Sequence, residues 1–358
     1  MSDVLARVAA TVRDDIRKTA AYSTSKPSGM IELHANENPW PLPASLRGEI
    51  AATVAEAAVN RYPEGAGERV KQSLARAMPI PAGAAIVLGN GSDELIQIVT
   101  AAIARPGATV LAPDPTFVMY RIYAMHSGVR YVPAPLRADF SLDDDAFAAA
   151  IARERPSLVW LASPNNPTGR ALPLASIERI LAAAPGLVVV DEAYYAFADD
   201  SFLPRVLDFP NLIVVRTVSK IGMAGLRLGY AAAHPAWIAE LEKVRPPYNI
   251  NVLTQVVVPV LLRHGALLGE QAAAIRRERA RMAAALAALR RVTVFPSHAN
   301  FLLVRVPDAG HWFGTLREAG ILVKNVDGWH PLLANCLRIT IGTPAENNAV
   351  VEALSRYA

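Results

Sequence analysis

The 358-residue chain reads as an α/β protein, with a large domain built on a mostly parallel sheet flanked by helices and a smaller α+β domain. Three observations carry this reading. Short apolar runs alternate with longer amphipathic segments between residues 85 and 215, as strands and helices do in an open α/β sheet. The runs are continuous rather than alternating, which suits strands buried on both faces. Beyond about Pro235 the pattern changes to a long Ala- and Arg-rich helical stretch with shorter strand-like pieces.

In order, the expected strands are Ala85 to Leu88, Thr109 to Ala112, Leu158 to Ala162, Leu187 to Val190 and Leu212 to Val215. The expected helices between them cover Asp93 to Ala104, Asp143 to Arg153 and Leu174 to Ala184. The second part adds a helix from Gln271 to Arg290, strands Phe301 to Val306, Ile321 to Val323 and Leu337 to Ile341, a helix near Trp312 to Ala319, and a terminal helix. The division expected is a large domain over residues 36–245, with residues 1–35 as an N-terminal arm joined to a small domain at 246–358.

Composition narrows the function classes. Hydrophobic residues make up 52% and charged residues 19%, a globular balance. The net charge of +4 is spread along the chain without a run of five like charges, so no nucleic-acid surface is expected. Cys336 is the sole cysteine, which excludes an intrachain disulfide and multi-cysteine zinc sites. The seven histidines show no metal-ligand spacing, so no metal is expected. The first 20 residues hold Arg7, Arg13, Asp14, Asp15, Arg17 and Lys18, and no apolar stretch reaches 18 residues. The expectation is a soluble cytoplasmic protein without a membrane partner.

Four motifs carry chemistry. Gly89-Asn90-Gly91-Ser92-Asp93-Glu94 sits at a strand-to-helix turn, where free N–H groups favour an anion such as phosphate. The same motif fits an ordinary turn with Ser92 as N-cap. Ser163-Pro164-Asn165-Asn166-Pro167-Thr168-Gly169 forms a rigid loop after a strand, with an Asn-Pro bond open to the cis isomer and an amide suited to a ligand oxygen. Asp191 ends a buried strand, where a carboxylate needs a positive partner such as a protonated ring nitrogen; otherwise it caps a helix. Tyr194 follows within reach of another ring substituent. Finally, Ser219-Lys220, with Gly222, Gly225 and Arg227 beyond, combines an amine nucleophile with anion-binding donors, or forms a solvated basic loop.

The order and content of these motifs resemble the fold-type I aminotransferases that use pyridoxal phosphate, from about Met30 to the end of the chain. His34-Ala35-Asn36-Glu37-Asn38-Pro39, Asn60-Arg61-Tyr62-Pro63-Glu64-Gly65, Arg245-Pro246-Pro247-Tyr248-Asn249 and Leu337-Arg338-Ile339-Thr340-Ile341-Gly342-Thr343-Pro344 are similar to the branch that acts on histidinol phosphate in histidine biosynthesis. The resemblance implies that Lys220 carries the cofactor and moves the substrate proton, and that Asp191 holds the pyridine nitrogen protonated. It implies Asn166 and Tyr194 at the phenolic oxygen and Phe117 stacked on the ring. Backbone N–H groups of Ser92 and Asp93, with the side chains of Ser219 and Arg227, would hold the phosphate. Tyr62 would reach that phosphate from a partner subunit, making a homodimer with shared sites. Arg338 would bind the substrate anion, with Lys324, Tyr22 and Asn166 beside it. Lys324 stands where the family carries a second arginine, so a point charge replaces a bidentate fork. The substrates implied are L-histidinol phosphate with 2-oxoglutarate, or L-glutamate in reverse; an aromatic amino acid aminotransferase is the alternative on the same scaffold.

Overall fold

The computed structural model describes residues 2–21 and 29–355. Its main element is a seven-stranded sheet, formed by β1 (Ala85–Asn90), β2 (Thr109–Asp114), β3 (Arg130–Pro135), β4 (Leu158–Ala162), β5 (Leu187–Asp191), β6 (Leu212–Thr217) and β7 (Leu228–Ala233). The spatial order is β1-β7-β6-β5-β4-β2-β3, and β7 alone runs antiparallel to its neighbours. All five strands expected from the sequence are in it. Two were not anticipated. β3 carries Pro133 and Pro135, which an edge strand tolerates because its outer N–H groups need no ladder partner. β7 reads Leu-Gly-Tyr-Ala-Ala-Ala, small residues without the usual β-branched signature.

Alternate residues of each central strand enter two different cores. Val159, Leu161, Val188, Val190 and Val214 pack with Leu74, Phe147, Ile177 and Val258 on one side. Trp160, Val189, Ile213 and Val215 pack with Leu95, Ile98, Tyr120 and Leu241 on the other. The sheet is therefore covered on both faces, which accounts for its continuous apolar runs.

A second, antiparallel sheet comprises β8 (Thr293–Val294), β9 (Phe301–Arg305), β10 (Lys324–Asn325) and β11 (Cys336–Thr340) in the order β10-β11-β9-β8. The helices Gly265–Ala287, Ala309–Glu318 and Pro344–Ser355 contribute Ile275, Met282, Leu316 and Val350 to its core. The two-residue strand Ile31–Glu32 pairs in parallel with Ile321–Leu322, bringing the early chain to this sheet. Helix Val252–Arg263 packs instead against Ala44–Ala55 and Glu68–Ala77, on the side of the large sheet. Among the described residues no single helix is long and apolar enough to cross a membrane.

One buried ion pair lies beneath the large sheet's carboxyl edge. Glu192 and Arg216, with side chains 3% and 2% exposed, meet at 2.8 Å. Ser201 and the N–H of Phe202 complete the set, and the guanidinium sits 3.9 Å from the Tyr195 ring centroid. Removing one partner strands a charge in a dry site. Arg216→Ala should therefore lower unfolding free energy by about 3–5 kcal/mol, measured by urea denaturation at neutral pH.

Candidate active site

A cavity of about 1260 Å³ opens where the parallel strands end, walled on its far side by the second sheet. Asp114, Ala162, Asp191 and Thr217, the last residues of β2, β4, β5 and β6, all line it. This is where an open α/β sheet offers polar groups to a ligand.

At one end the strand β1 turns into helix Gly91–Ala102. Asn90 is its N-cap residue, so Ser92 and Asp93 lie inside the first turn, where N–H groups lack intrahelical partners. The Ser92 cap expected as an alternative is thus not formed; the Glu94 side chain instead reaches back to the Asn90 N–H at 2.6 Å. The turn rests directly on β7: a Cβ on Gly229 would stand 2.6 Å from the Gly91 carbonyl carbon and the Ser92 nitrogen. A Cβ on Gly91 would stand 2.7 Å from Arg227 Nη2. Arg227, at φ 50°, faces Asp93 at 3.6 Å, and burial raises the Asp93 carboxyl against the pull of Arg227 and Lys220. Ser219 is held by the Thr217 hydroxyl at 2.9 Å. Thr217 had not been singled out from sequence.

Lys220 lies in the one-turn 3₁₀ segment Ser219–Ile221 immediately after β6, and its Nζ donates to the Ala35 carbonyl at 3.2 Å. Burial, then the positive charge of Arg338, lowers its pKa to about 8. The solvated-loop alternative does not hold.

Asp191 is 4% exposed and accepts two hydrogen bonds, from the Tyr120 hydroxyl at 2.7 Å and the Ala193 N–H at 3.0 Å. No ion-pair partner for it occurs among the described residues, and burial raises its pKa to about 6. It caps no α-helix; only the 3₁₀ turn Tyr195–Phe197 follows. Tyr194 accepts a hydrogen bond at its hydroxyl from Asn36 Nδ2 at 2.9 Å. Asn36 is buried in the left-handed region at φ 55°, which asparagine tolerates better than most residues. Phe117 lines the cavity and meets Tyr120 edge-on at 5.8 Å between centroids.

The loop after β4 contains cis Ser163–Pro164 and Asn166–Pro167 bonds, the second in line with the sequence expectation. Asn165 is spent within the protein, bonding Pro115, Thr116 and Thr168. Asn166 faces the cavity, and its oxygen accepts from Arg338 Nη1 at 2.6 Å. With that oxygen committed, its amide nitrogen is the group suited to a ligand oxygen. Arg338 also donates to the His34 carbonyl at 2.6 Å. Lys324 stands opposite Arg338 in the β10–β11 register, and its ammonium lies 5.5 Å from the Trp329 ring centroid. Burial, then Arg338, lowers the Lys324 pKa.

The chain thus brings together Ser92, Asp93, Phe117, Asn166, Asp191, Tyr194, Ser219, Lys220, Arg227, Lys324 and Arg338. Tyr62 is not among them: it is 82% exposed, stacked on Tyr248 at 4.8 Å. Tyr22 lies outside the described residues. No cluster suited to a metal occurs among the described residues.

Residues 28–354 match the family described as aminotransferase class I and II. A histidinol-phosphate aminotransferase of Chromobacterium violaceum is 54% identical over 346 residues, covering 97% of each chain. Histidinol-phosphate aminotransferase 1 of Ralstonia nicotianae is 52% identical over 360 residues, 99% of this chain and 96% of that one. Among solved structures, histidinol-phosphate aminotransferase from Sinorhizobium meliloti in complex with pyridoxal-5'-phosphate superposes with a TM-score of 0.81 at 27% identity, covering 91% of this chain and 90% of that one.

The close seat of the Gly91–Ser92 turn on β7 yields a prediction. Gly229→Ala must push that turn aside, because the added carbon meets backbone rather than a movable side chain. The apo-protein should lose at least about tenfold in affinity for pyridoxal phosphate, read by fluorescence titration, the size expected for losing one charge-assisted contact.

Proposed function

Since the chain belongs to the class I and II aminotransferase family, we propose that it transfers the amino group between L-histidinol phosphate and 2-oxoglutarate, giving imidazole-acetol phosphate and L-glutamate in histidine biosynthesis. Its cofactor is pyridoxal 5'-phosphate. The residues fit that group: a glycine-lined turn beside Arg227 for its phosphate, a buried carboxylate without a cation among the described residues for its ring nitrogen, and an amine of lowered pKa lining the same cavity. The cofactor supplies a sink for the electron pair left when the substrate Cα loses its proton.

In this reading Ser92, Asp93, Ser219 and Arg227 bind the phosphate through N–H, hydroxyl and guanidinium donors. Asp191 would keep the ring nitrogen protonated, Tyr194 and Asn166 would hydrogen-bond the phenolic oxygen, and Phe117 would stack on the ring. Lys220 would hold the cofactor through its amine and would carry the proton from the substrate Cα, a task that its lowered pKa favours.

The observation that carries the substrate is the pairing of Lys324 with Arg338 in the β10–β11 register, both facing the cavity. Like charges opposite one another on adjacent strands repel. A phosphate approaching two negative charges relieves that repulsion better than a carboxylate does. We also place Tyr62 at the cofactor phosphate of a second copy of this chain, in a cytoplasmic homodimer. Support comes from the solvent-facing Tyr62–Tyr248 stack and from Val59, three residues before Tyr62 and 72% exposed.

Two measurements test these assignments. Each charge-assisted phosphate contact contributes ~1.5–3 kcal/mol, so kcat/KM for L-histidinol phosphate should exceed that for L-histidinol by about a hundredfold or more. Lys324→Ala should narrow that ratio, and L-tyrosine or L-phenylalanine as the best donor would overturn the substrate. For the dimer, mixing Lys220→Ala chains with Tyr62→Phe chains under subunit exchange should raise activity above the average of the two parents, because one hybrid site is intact. Activity at that average would remove Tyr62 from the partner's site.

A further inference from the structure

We infer that Tyr120 is a positioning residue for Asp191: its buried hydroxyl fixes one carboxylate oxygen and holds the group as the anion that the cofactor's ring nitrogen requires. The inference rests on the cofactor placement proposed above, and nothing in the sequence motifs pointed to Tyr120.

Tyr120 lies in the helix Met119–His126, fully buried against the cavity wall. Its ring is clamped, stacked on Trp160 at 4.8 Å with planes 7° apart and met edge-on by Phe117. A ring so held cannot swing its hydroxyl away, and that hydroxyl donates to Asp191 Oδ2 at 2.7 Å. The Ala193 N–H donates to Oδ1 at 3.0 Å. One donor on each oxygen sets the plane of the carboxylate.

The charged and titratable groups facing Asp191 make this bond decisive. From helix Gly91–Ala102 comes Asp93, and from the end of its own strand come Glu192 and Tyr194. Asp93 and Glu192 are acidic and, with burial, press Asp191 toward protonation. Glu192 is balanced by Arg216, while Lys220 and Arg227 act on Asp93. The forces favouring the anion are therefore the two hydrogen bonds, of which the Tyr120 bond is the larger.

The test titrates the full-length apo-protein with pyridoxal phosphate across the acid and neutral range, reading Kd by fluorescence. A carboxylate that must be ionised to meet the ring loses affinity as pH falls through its folded pKa. In Tyr120→Phe this acid limb should move to higher pH by about one unit, the size of a hydrogen bond to a charged group. In an Asp191→Asn background the limb should be absent and Tyr120→Phe should shift nothing. Where Tyr120→Phe fails to fold, Tyr120→Leu provides a second hydroxyl-free side chain. A limb left in place by loss of the hydroxyl, or a shift that persists with Asp191→Asn, would overturn the role of Tyr120 alone. A limb untouched by Asp191→Asn itself would overturn the placement of Asp191, and this inference with it.

Discussion

Coverage of the large sheet on both faces is the constraint from which the rest of the molecule follows. Residues in the middle of β4, β5 and β6 enter one apolar core or the other, so a polar side chain there would be buried without water. Polar chemistry can emerge only where the strands end. Asp114, Asp191 and Thr217 are each the last residue of a strand, and Asn166 and Lys220 follow within four residues of one. Strand periodicity then sorts neighbours. Arg216 shares a face with Val214 and turns down to Glu192, whereas Thr217 shares a face with Val215 and reaches the cavity.

Two adjacent carboxylates at the end of β5 show how burial and pairing divide roles. Glu192 has a guanidinium at 2.8 Å and is a structural anion. Among the described residues Asp191 has only neutral donors, and burial raises its pKa to about 6. A buried carboxylate left without a cation is a standing cost in the free protein, and a bound cation relieves it. The same logic applies in reverse to Lys220, whose lowered pKa reflects burial and the cations around it.

Much of this was legible in the sequence because each signal is local. Val-Val-Val before Asp191, and Ile-Val-Val before Arg216, announce buried strands ending in polar residues. The Asn-Pro-Thr-Gly loop and the Ser-Lys turn announce themselves by composition. What escaped was set by tertiary contact. The strand Arg130–Pro135 hides behind its prolines, which only an edge position permits, and Leu228–Ala233 hides behind small residues, of which Gly229 is demanded by the close seat of the Gly91–Ser92 turn. Tyr120 reads as one apolar residue on a helix; its function depends on a carboxylate 71 positions away. Asn36 likewise gains its place at Tyr194 only when the early chain pairs beside the second sheet.

The site is therefore a property of two sheets held in register, and a few polar bonds hold them. Arg338 on β11 grips Asn166 of the large sheet's loop and the His34 carbonyl. Asn36 bonds Tyr194 after β5, while Asn300, just before β9, and Thr340 of β11 secure Asn36. Arg338 thus both supplies charge to the cavity and joins its walls, so its removal loosens the site as well as discharging it. Among the described residues Lys324 has no such bridge; it meets the Trp329 ring and the repulsive field of Arg338. Of the two cations, Lys324 is the one whose loss reports on substrate charge with least disturbance of the frame, because its neighbours on β10 and β11 stay paired through the backbone.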